Sequence, residues 1–522
     1  MNLTNIPRTE PAFLNTLKRF IYLMHSTWLL QKIRRSKHAA TRQIAQQRLT
    51  QLLGSKRGIG MKIGQAMAGM DDQSHFTELT QSVQAWPLKD ILPVLEHAWQ
   101  QPVNNILESI EESVAAASLG QVHKGTRNTD SGTPEHLAIK VQYPDIRQAI
   151  ESELSLAALL PKAGPVKRWD FDLNSYQQTL QNTLNDELDY SHEMKQQQRF
   201  QQHIHVPGLK VAEVCPELSS AQVLTQQWMH GQRLSEACNW PDQARLKAGK
   251  TLMQTLWKSL FEIGLVHGDP HPGNLLFQYD EDQPQVCLLD FGCMLNIPFT
   301  RRMSLLNLIL GLRGKTTLNS FDAFVGLGFD AQKLEPIKAE LDDLARILFR
   351  PFLQPEPFDT AQWQLSKQVN DLLGDQRWQF RSASPADLFL VLRTFQGLVH
   401  QLESLKVQLS WPDMLDASVG GQYIETALLW KFPKAAHEPA PTYKGSAKSL
   451  HVHITRAGKS PMKIELTAAS ALDLHNLIPE HLLPQIMAAN IDIFTIEQDL
   501  HESGLEPQTL LDITLEDKHY HL

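Results

Sequence analysis

Three oxygen-bearing side chains lie at the spacings that phosphoryl transfer requires. Asp269 precedes Asn274 by five residues in the run Val-His-Gly-Asp-Pro-His-Pro-Gly-Asn, and Asp290 opens an Asp-Phe-Gly triplet sixteen residues later. The first spacing is that of the catalytic-loop aspartate and the metal-binding asparagine of protein kinases. Oxygen ligands from neighbouring loops suit nucleotide-bound magnesium. We therefore predict Asn274 and Asp290 as Mg²⁺ ligands and Asp269 as the residue that orients or deprotonates the nucleophile.

A small-residue loop and a lysine precede these residues in the order found in kinases. Residues 115–122 read Ala-Ala-Ala-Ser-Leu-Gly-Gln-Val, in the register of a glycine-rich loop but with alanine at its first two glycine positions. Such a loop covers phosphates with backbone N–H groups, and a Cβ there limits close approach. Lys140 lies in the apolar segment 137–141 and is predicted to meet the α and β phosphates; alone, it would be an ordinary edge-strand lysine. The predicted nucleotide-binding residues are Ala115, Ala116, Ala117, Ser118, Gly120 and Lys140.

Together these motifs resemble one protein family. The alanine loop, the strand Ala-Ile-Lys-Val-Gln-Tyr-Pro, the catalytic run, Asp-Phe-Gly, and Lys-Ile-Gly-Gln at 62–65 are similar to the UbiB family of atypical protein-kinase-like ATPases. That family is linked to ubiquinone and other isoprenoid-lipid pathways. The resemblance is dense over residues 50–300. It implies a bilobal, kinase-like α+β fold, ATP and Mg²⁺ as cofactors, and a lipid- or quinone-related pathway for an ATPase or phosphotransferase.

The resemblance also implies regulatory residues. In the family, a K-x-G-Q motif on a helical extension covers the active site and pairs with an E-x-D motif; Lys62 and Gln65 match the first, and Glu187 and Asp189 match the second. Glu193 resembles the glutamate that pairs with the strand lysine, with Glu187 as the alternative partner. Occlusion by Lys62 and Gln65 would favour ATP hydrolysis or a small lipid-like substrate over protein phosphorylation. Solvated residues on ordinary amphipathic helices are the competing interpretation.

Two other classes of function compete with this interpretation. The spelling His-Gly-Asp-x-His-x-x-Asn also resembles small-molecule kinases that act on choline and aminoglycosides, so a small-molecule phosphotransferase is one alternative. A nucleotide-dependent scaffold or regulator without phosphoryl transfer is the other. His267 and His271 flank Asp269, but their spacing lacks the glutamate of a zinc-protease helix, so we predict that they orient the loop.

Composition limits the class of protein and its compartment. The net charge is −8 and no basic stripe with interleaved aromatics occurs, which argues against nucleic-acid binding. The four cysteines lack C-x-x-C or zinc spacing, as is typical of a reduced intracellular protein, and we expect a bacterial, cytoplasmic one. The sequence has no run of about 18 apolar residues and no signal-peptide pattern. Residues 13–37 combine an apolar stripe with a basic cluster, which suits either peripheral contact with the inner face of a membrane or packing on the protein's own lobe.

The pattern along the chain predicts a division into successive units. These units are a helical extension with the K-x-G-Q motif (1–112), a kinase-like small lobe (113–232), a mostly helical large lobe (233–435) and a small α+β C-terminal domain (447–522). Within the small lobe we expect one long helix near 186–203. No Ala-Pro-Glu signature follows the Asp-Phe-Gly triplet, which argues against ordinary docking of protein substrates. The C-terminal unit is predicted to be an interaction module.

Overall fold

The computed structural model describes most of the chain from residue 85 onward. The described residues are 85–116, 119–128, 132–144, 146–147, 150, 173–279, 283–432, 447–456, 461–479, 482–489, 491–503, 505, 507–515 and 518–522. Lys62, Gln65, Ala117, Ser118 and the amphipathic stretch 13–37 lie outside them. The roles assigned to those residues therefore stay predictions.

An antiparallel sheet with flanking helices forms the smaller lobe. Its elements are α1 (Leu88–Trp99), β1 (Ser109–Ile110), β2 (Ala115–Ala116), β3 (Gly120–Asn128), β4 (Pro134–Gln142), α2 (Leu173–Glu187), α3 (Tyr190–His203) and β6 (Val223–Gln227). Strand β5 (Leu209–Val211) lies between α3 and β6 in the chain, but it pairs in parallel with a strand of the larger lobe (Gln285–Leu288). The strand order is β1-β3-β4-β6, with β2 paired to the start of β3. Alternate residues of a strand share a face, and Leu137, Ile139 and Val141 of β4 are buried together with Ile91 and Leu95 of α1. Helix α1, expected in a separate extension, thus belongs to the small-lobe core.

The segment near 186–203 is broken where one continuous helix was predicted. Helix α2 ends at Glu187 and α3 begins at Tyr190. The Asp189 carboxylate accepts a hydrogen bond from the Ser191 N–H at 2.9 Å. An aspartate in this position satisfies a backbone donor that a helix start leaves unpaired. The prediction of one long helix was wrong for this reason, and the break places Glu193 in the first turn of α3.

The larger lobe combines short strands with many helices. Its elements are α4 (Leu234–Ala237), α5 (Asp242–Lys258), β7 (Leu265–His267), β8 (Leu275–Gln278), β9 (Gln285–Leu288), β10 (Met294–Asn296), α6 (Phe299–Leu312), α7 (Ser320–Gly326), α8 (Ala331–Leu334), α9 (Leu341–Leu348), α10 (Leu365–Leu373), α11 (Arg377–Ala383), α12 (Leu388–Ser404), α13 (Trp411–Ser418) and α14 (Gly421–Leu428). Trp257 and Trp411 are buried in its core, with ring centroids 5.6 Å apart. This two-lobed α+β arrangement is the one that the sequence predicts.

A π-helical turn brings the chain into the predicted catalytic loop. Helix α5 continues as a π-helix over Ser259–Ile263 and ends at Gly264, whose φ of 79° favours glycine. A Cβ at Gly264 would lie 2.6 Å from the Ile297 carbonyl oxygen. Strand β7 then pairs with β10, and β8 pairs with β9. These pairings hold the segments 268–274 and 289–293 side by side, because each begins or ends at a strand of the same lobe.

The residues 447–522 form a separate small core, named here the C-terminal module. Its elements are β11 (Ser449–Arg456), β12 (Met462–Thr467), α15 (Leu474–Leu477), α16 (Leu483–Ala488), α17 (Ile493–Ser503), β13 (Asp512–Leu515) and β14 (Lys518–His521). The strand order is β12-β11-β14-β13, so β14, which the sequence pattern did not reveal, lies inside the sheet. Leu474, Ile486 and Ile493 are buried beneath it. No helix in the part of the chain that the structure describes has the length and apolar character needed to cross a bilayer.

Candidate active site

A cleft of about 1320 Å³ lies between the two lobes. Side chains and backbone from β2, β3 and β4 line it on one side, and the segments around β8 and β9 line it on the other. The predicted site residues along its wall are Ala115, Ala116, Gly120, Lys140, Glu187, Glu193, Asp269, Asn274 and Asp290. Residues separated by up to 175 positions in the sequence, from Ala115 to Asp290, therefore meet at one cavity.

Lys140 is the electrostatic centre of this cleft. Its Nζ lies 2.8 Å from both carboxylate oxygens of Glu193 and 2.9 Å from Oδ2 of Asp290. Glu193 is only 1% exposed, whereas Asp290 is partly open to the cavity. The Nζ also lies 4.9 Å from the ring centroid of Tyr190, a distance at which a ring face attracts a cation. A partly buried lysine is thus held by two carboxylates, and one of them faces the cavity.

The ionisation of this cluster follows from burial and from the neighbouring charges. Burial raises the pKa of Glu193 to about 7, and the Asp290 carboxylate adds to the rise while Lys140 opposes it. Burial acts to lower the pKa of Lys140, but the Asp290 and Glu193 carboxylates together raise this pKa well above its usual value. Lys140 therefore carries its charge at neutral pH, as a group that binds phosphate must.

Asp290 is held in place by its own triplet. Its Oδ1 accepts a hydrogen bond from the Gly292 N–H at 3.0 Å, which leaves Oδ2 directed at Lys140. Phe291 is fully buried, with its ring centroid 5.2 Å from that of Phe200 on α3. The Phe291 N–H lies 3.3 Å from Oε1 of Glu193, to which it donates. Helix α3 therefore contacts both the lysine and the aspartate segment.

Asn274 lies beside Asp290 and contacts Asp269. The Leu289 N–H donates to the Asn274 carbonyl oxygen at 3.0 Å, so the loop that ends at Asn274 lies beside the segment that carries Asp290. The Asn274 amide nitrogen donates to Oδ2 of Asp269 at 3.0 Å. Because the amide nitrogen is used in this contact, the side-chain oxygen of Asn274 is the atom left to act as a ligand. This oxygen and the Asp290 carboxylate form a hard-oxygen set of the kind that fits Mg²⁺.

Both histidines contact the backbone of the loops that they were predicted to orient. The His267 Nε2–H donates to the backbone carbonyl of Asp290. The Nδ1 of His271 accepts a hydrogen bond from the Gly273 N–H at 2.9 Å. The His267 ring also lies edge-on to Phe291, with centroids 5.6 Å apart. These contacts join the catalytic run to the Asp-Phe-Gly triplet.

Arg393 on α12 is a site residue that the sequence analysis missed. Its Nη2 forms an ion pair with Oδ1 of Asp269, and it lines the cleft. Together with Asn274, it therefore supplies donors to both carboxylate oxygens of Asp269. Arg393 lies 124 positions after Asp269 in a helix that is otherwise mainly apolar, so no local motif marks it.

The same face of α12 packs against the catalytic run. Thr394 Oγ1 donates to the His267 carbonyl at 3.3 Å, and Gln401 Nε2 donates to the Pro270 carbonyl at 3.1 Å. A Cβ added at Gly397 would lie 2.0 Å from Cβ of Pro270, so a glycine is needed for this approach. Residues three to four apart share one face of a helix. A polar residue or glycine at every fourth position of an apolar helix is the signal that could have identified this face.

Gly120 is required by strand packing. A Cβ built on it would lie 2.3 Å from the Val141 carbonyl oxygen and 2.7 Å from the Tyr190 hydroxyl. Gly120, which we predicted to bind nucleotide, lines the cleft, and the atoms nearest to a Cβ at this position belong to β4 and α3. Ala115 and Ala116 lie on β2, which pairs with β3 and lines the cleft. The described part of the alanine loop is therefore a strand at the rim of the cavity.

The two carboxylates of the predicted E-x-D motif lie at the ends of two different helices. Glu187 is the last residue of α2 and lines the cleft. The Asp189 carboxylate caps α3, as described above. Because Lys62 lies outside the described residues, its pairing with either carboxylate stays a prediction.

Comparison with known proteins identifies the type of domain. Residues 78–317 match the family model described as the ABC1 atypical kinase-like domain. A zebrafish (Danio rerio) protein named "Atypical kinase COQ8B, mitochondrial" is 27% identical over 381 residues, which cover 70% of this chain and 60% of that protein. The rat (Rattus norvegicus) protein of the same name is 32% identical over 256 residues, covering 47% of each chain.

One solved structure is also similar to this chain. The complex of Rv3197 with erythromycin from Mycobacterium tuberculosis covers 73% of this chain and 97% of that chain, at 23% identity and a TM-score of 0.48. The present chain spans about half to three fifths of the length of the two curated relatives. The predicted kinase-like α+β fold is confirmed by the family match together with the two-lobed architecture. The match of residues 78–317 to the ABC1 atypical kinase-like domain, together with the COQ8B relatives, therefore confirms the predicted resemblance to the UbiB family.

Proposed function

We propose that this protein binds Mg·ATP in the interlobe cleft and acts as an atypical kinase or ATPase. The observation that supports this most directly is Lys140 in simultaneous contact with Glu193 and Asp290. In kinase-like enzymes such a lysine meets the α and β phosphates while the paired glutamate fixes its position. Asp290 and the side-chain oxygen of Asn274 would hold Mg²⁺, which when bound neutralises phosphate charge.

Asp269 has a positioning role in this proposal. Arg393 and Asn274 donate to its two carboxylate oxygens, so the orientation of the carboxylate is fixed before a substrate arrives. A fixed carboxylate can hold the hydrogen of an attacking hydroxyl or water in line with the terminal phosphate.

The acceptor of the phosphoryl group is water or a lipid- or quinone-related small molecule in this proposal. Support comes from the family match and from the zebrafish and rat relatives, which are named atypical kinase COQ8B. The resemblance adds an extension with Lys62 and Gln65 that would exclude a protein substrate. We also propose that residues 13–37 bring the protein to a membrane surface, where such acceptors dissolve.

Protection of a cysteine tests whether nucleotide enters the cleft. Cys238 lines the cavity and is partly exposed, whereas Cys215 and Cys287 are buried, and burial raises the pKa of both thiols to about 11. A thiol reagent should therefore modify Cys238 first, because thiolate and access both control the rate. Saturating Mg·ATP should slow this reaction, followed by mass spectrometry. An unchanged rate would contradict nucleotide binding here, and Cys238→Ser serves as the control that removes the fast phase.

Lipid-dependent turnover tests the class of acceptor. Hydrolysis of labelled ATP should rise when anionic vesicles and isoprenoid-phenol analogues are added. The vesicles would bind the basic segment at residues 13–37, and the analogues would occupy the acceptor position in the cleft. The same vesicles made from neutral lipid are the control, since they lack the charge that attracts a basic segment. Equal turnover in all of these conditions would argue against a lipid-linked substrate. Transfer of label to choline or an aminoglycoside would favour the small-molecule phosphotransferase instead.

A further inference from the structure

A buried ion pair joins the C-terminal module to the large lobe. Arg302 on α6 pairs with Asp492, and their side chains are 0% and 6% exposed. The Asp492 carboxylate also accepts hydrogen bonds from the Phe494 N–H at 3.1 Å and the Thr495 hydroxyl at 2.8 Å, at the start of α17. A charge with this little exposure to water depends on its partner. The contact is therefore built into the fold.

Arg302 also contacts the segment that enters the catalytic loop. Its Nη1 donates to the carbonyl oxygens of Glu262 at 2.8 Å and Phe261 at 3.3 Å. Both carbonyls belong to the π-helical turn that precedes β7, and Asp269 follows β7 by two residues. One guanidinium thus connects Asp492 of the module to the chain that carries the catalytic aspartate.

The module also packs against the end of α3. The ring of His203 lies edge-on to His475 and to Phe494, with centroid distances of 5.7 and 5.6 Å. Burial lowers the pKa of His203 to about 4, and the nearby His475 and Arg199 contribute in the same direction. His203 is therefore uncharged at neutral pH, which suits contact with an aromatic ring.

Helix α3 connects these contacts to the cleft. Glu193 lies in its first turn, Phe200 packs on Phe291, and His203 is its last residue. Ten residues of α-helix span about 15 Å and move as one rigid element. A shift at His203 would therefore reach the Glu193–Lys140 contact.

We propose that the C-terminal module positions the active site by bracing α3 and the entry to the catalytic loop. Asp492, Arg302, His203 and Phe494 are positioning residues in this proposal, and none of them needs to touch substrate. The C-terminal module, which we predicted to be an interaction module, contacts the kinase-like domain of the same chain through Asp492 and Phe494. The proposal deepens the proposed function, since it assigns regulation of the same site.

Two variants of the full chain test the proposal. Asp492→Asn keeps the size of the side chain but removes the charge facing Arg302, and Phe494→Ala removes the ring beside His203. Each should speed amide hydrogen exchange in α3, including its first turn, because exchange reports local opening. Each should also lower kcat for ATP about tenfold with a smaller change in KM, because a displaced Glu193 misplaces Lys140. Asp512→Asn, which replaces a carboxylate that contacts His519 and His521 inside the module, is the control.

The exchange measurement separates this proposal from the function on which it rests. Faster exchange in α17 with unchanged exchange in α3 would overturn the bracing role, whatever the nucleotide does. Faster exchange in α3 would support it even if wild-type protein showed no ATP turnover, a result that would instead count against the proposed function. Recovery of slow exchange and of kcat in Asp492→Glu, which restores the charge, would distinguish positioning from a general loss of packing.

Discussion

Asp290→Asn is expected to abolish Mg²⁺-dependent nucleotide binding while leaving the protein folded. The substitution removes the charge of a proposed metal ligand, and it can place an amide nitrogen opposite the Lys140 Nζ, where the carboxylate now lies at 2.9 Å. A donor facing a cation repels it, so Lys140, which we propose to bind phosphate, also loses a partner. Calorimetric titration with Mg·ATP measures the effect. An unchanged Mg·ATP affinity in this variant would show that Asp290 is not a ligand of the metal.

The Asp290→Asn variant should stay folded because Lys140 keeps its contact with Glu193. Both carboxylate oxygens of Glu193 stay within hydrogen-bond distance of Lys140. Asp416 offers a matched control, since its carboxylate contacts two cations, Arg313 and Lys315, outside the cleft. Asp416→Asn should leave Mg·ATP affinity unchanged. Comparable melting temperatures in both variants would show that any loss of binding is specific to the site.

The parts of the site that the sequence predicted are those that short segments encode. Asp269 and Asn274 belong to one loop, and their contact at 3.0 Å is made within five residues. Lys140 lies on a strand whose alternation of buried residues is visible in the sequence. Its contact with Glu193 was inferred from the family resemblance, because a pair 53 positions apart has no local signal. Spacing within short segments therefore predicts the loop residues, and the family resemblance predicts the contact between Lys140 and Glu193.

The parts that were missed depend on packing between distant elements. Arg393 reaches Asp269 only because α12 lies against the catalytic run, with Gly397 in contact with Pro270. The docking of the C-terminal module through Arg302 is equally invisible in the sequence, since its partner Asp492 is 190 positions away. Hydrophobic periodicity predicts which face of a helix is buried, but it does not identify the element against which that face packs.

Arg393 changes what is expected from the catalytic aspartate. In the structure Asp269 is neutralised by the guanidinium and held by the Asn274 amide before any substrate binds. Lys140, the residue that we propose to bind phosphate, pairs with Glu193 and Asp290. Loss of the Asp269 charge should therefore affect the chemical step more than the affinity for nucleotide.

Asp269→Asn is expected to lower ATP turnover by about 10²- to 10⁴-fold, the usual contribution of a positioned acid or base. Mg·ATP affinity should stay within a few fold of wild type, because Lys140 and Asp290 are untouched. Single-turnover hydrolysis and calorimetry separate these two quantities. Arg393→Lys is the informative companion: it keeps the positive charge but loses the planar guanidinium, so a smaller loss of turnover is expected. Full turnover in Asp269→Asn would exclude Asp269 from catalysis, and turnover lost only in proportion to binding would make it a ligand-binding residue instead.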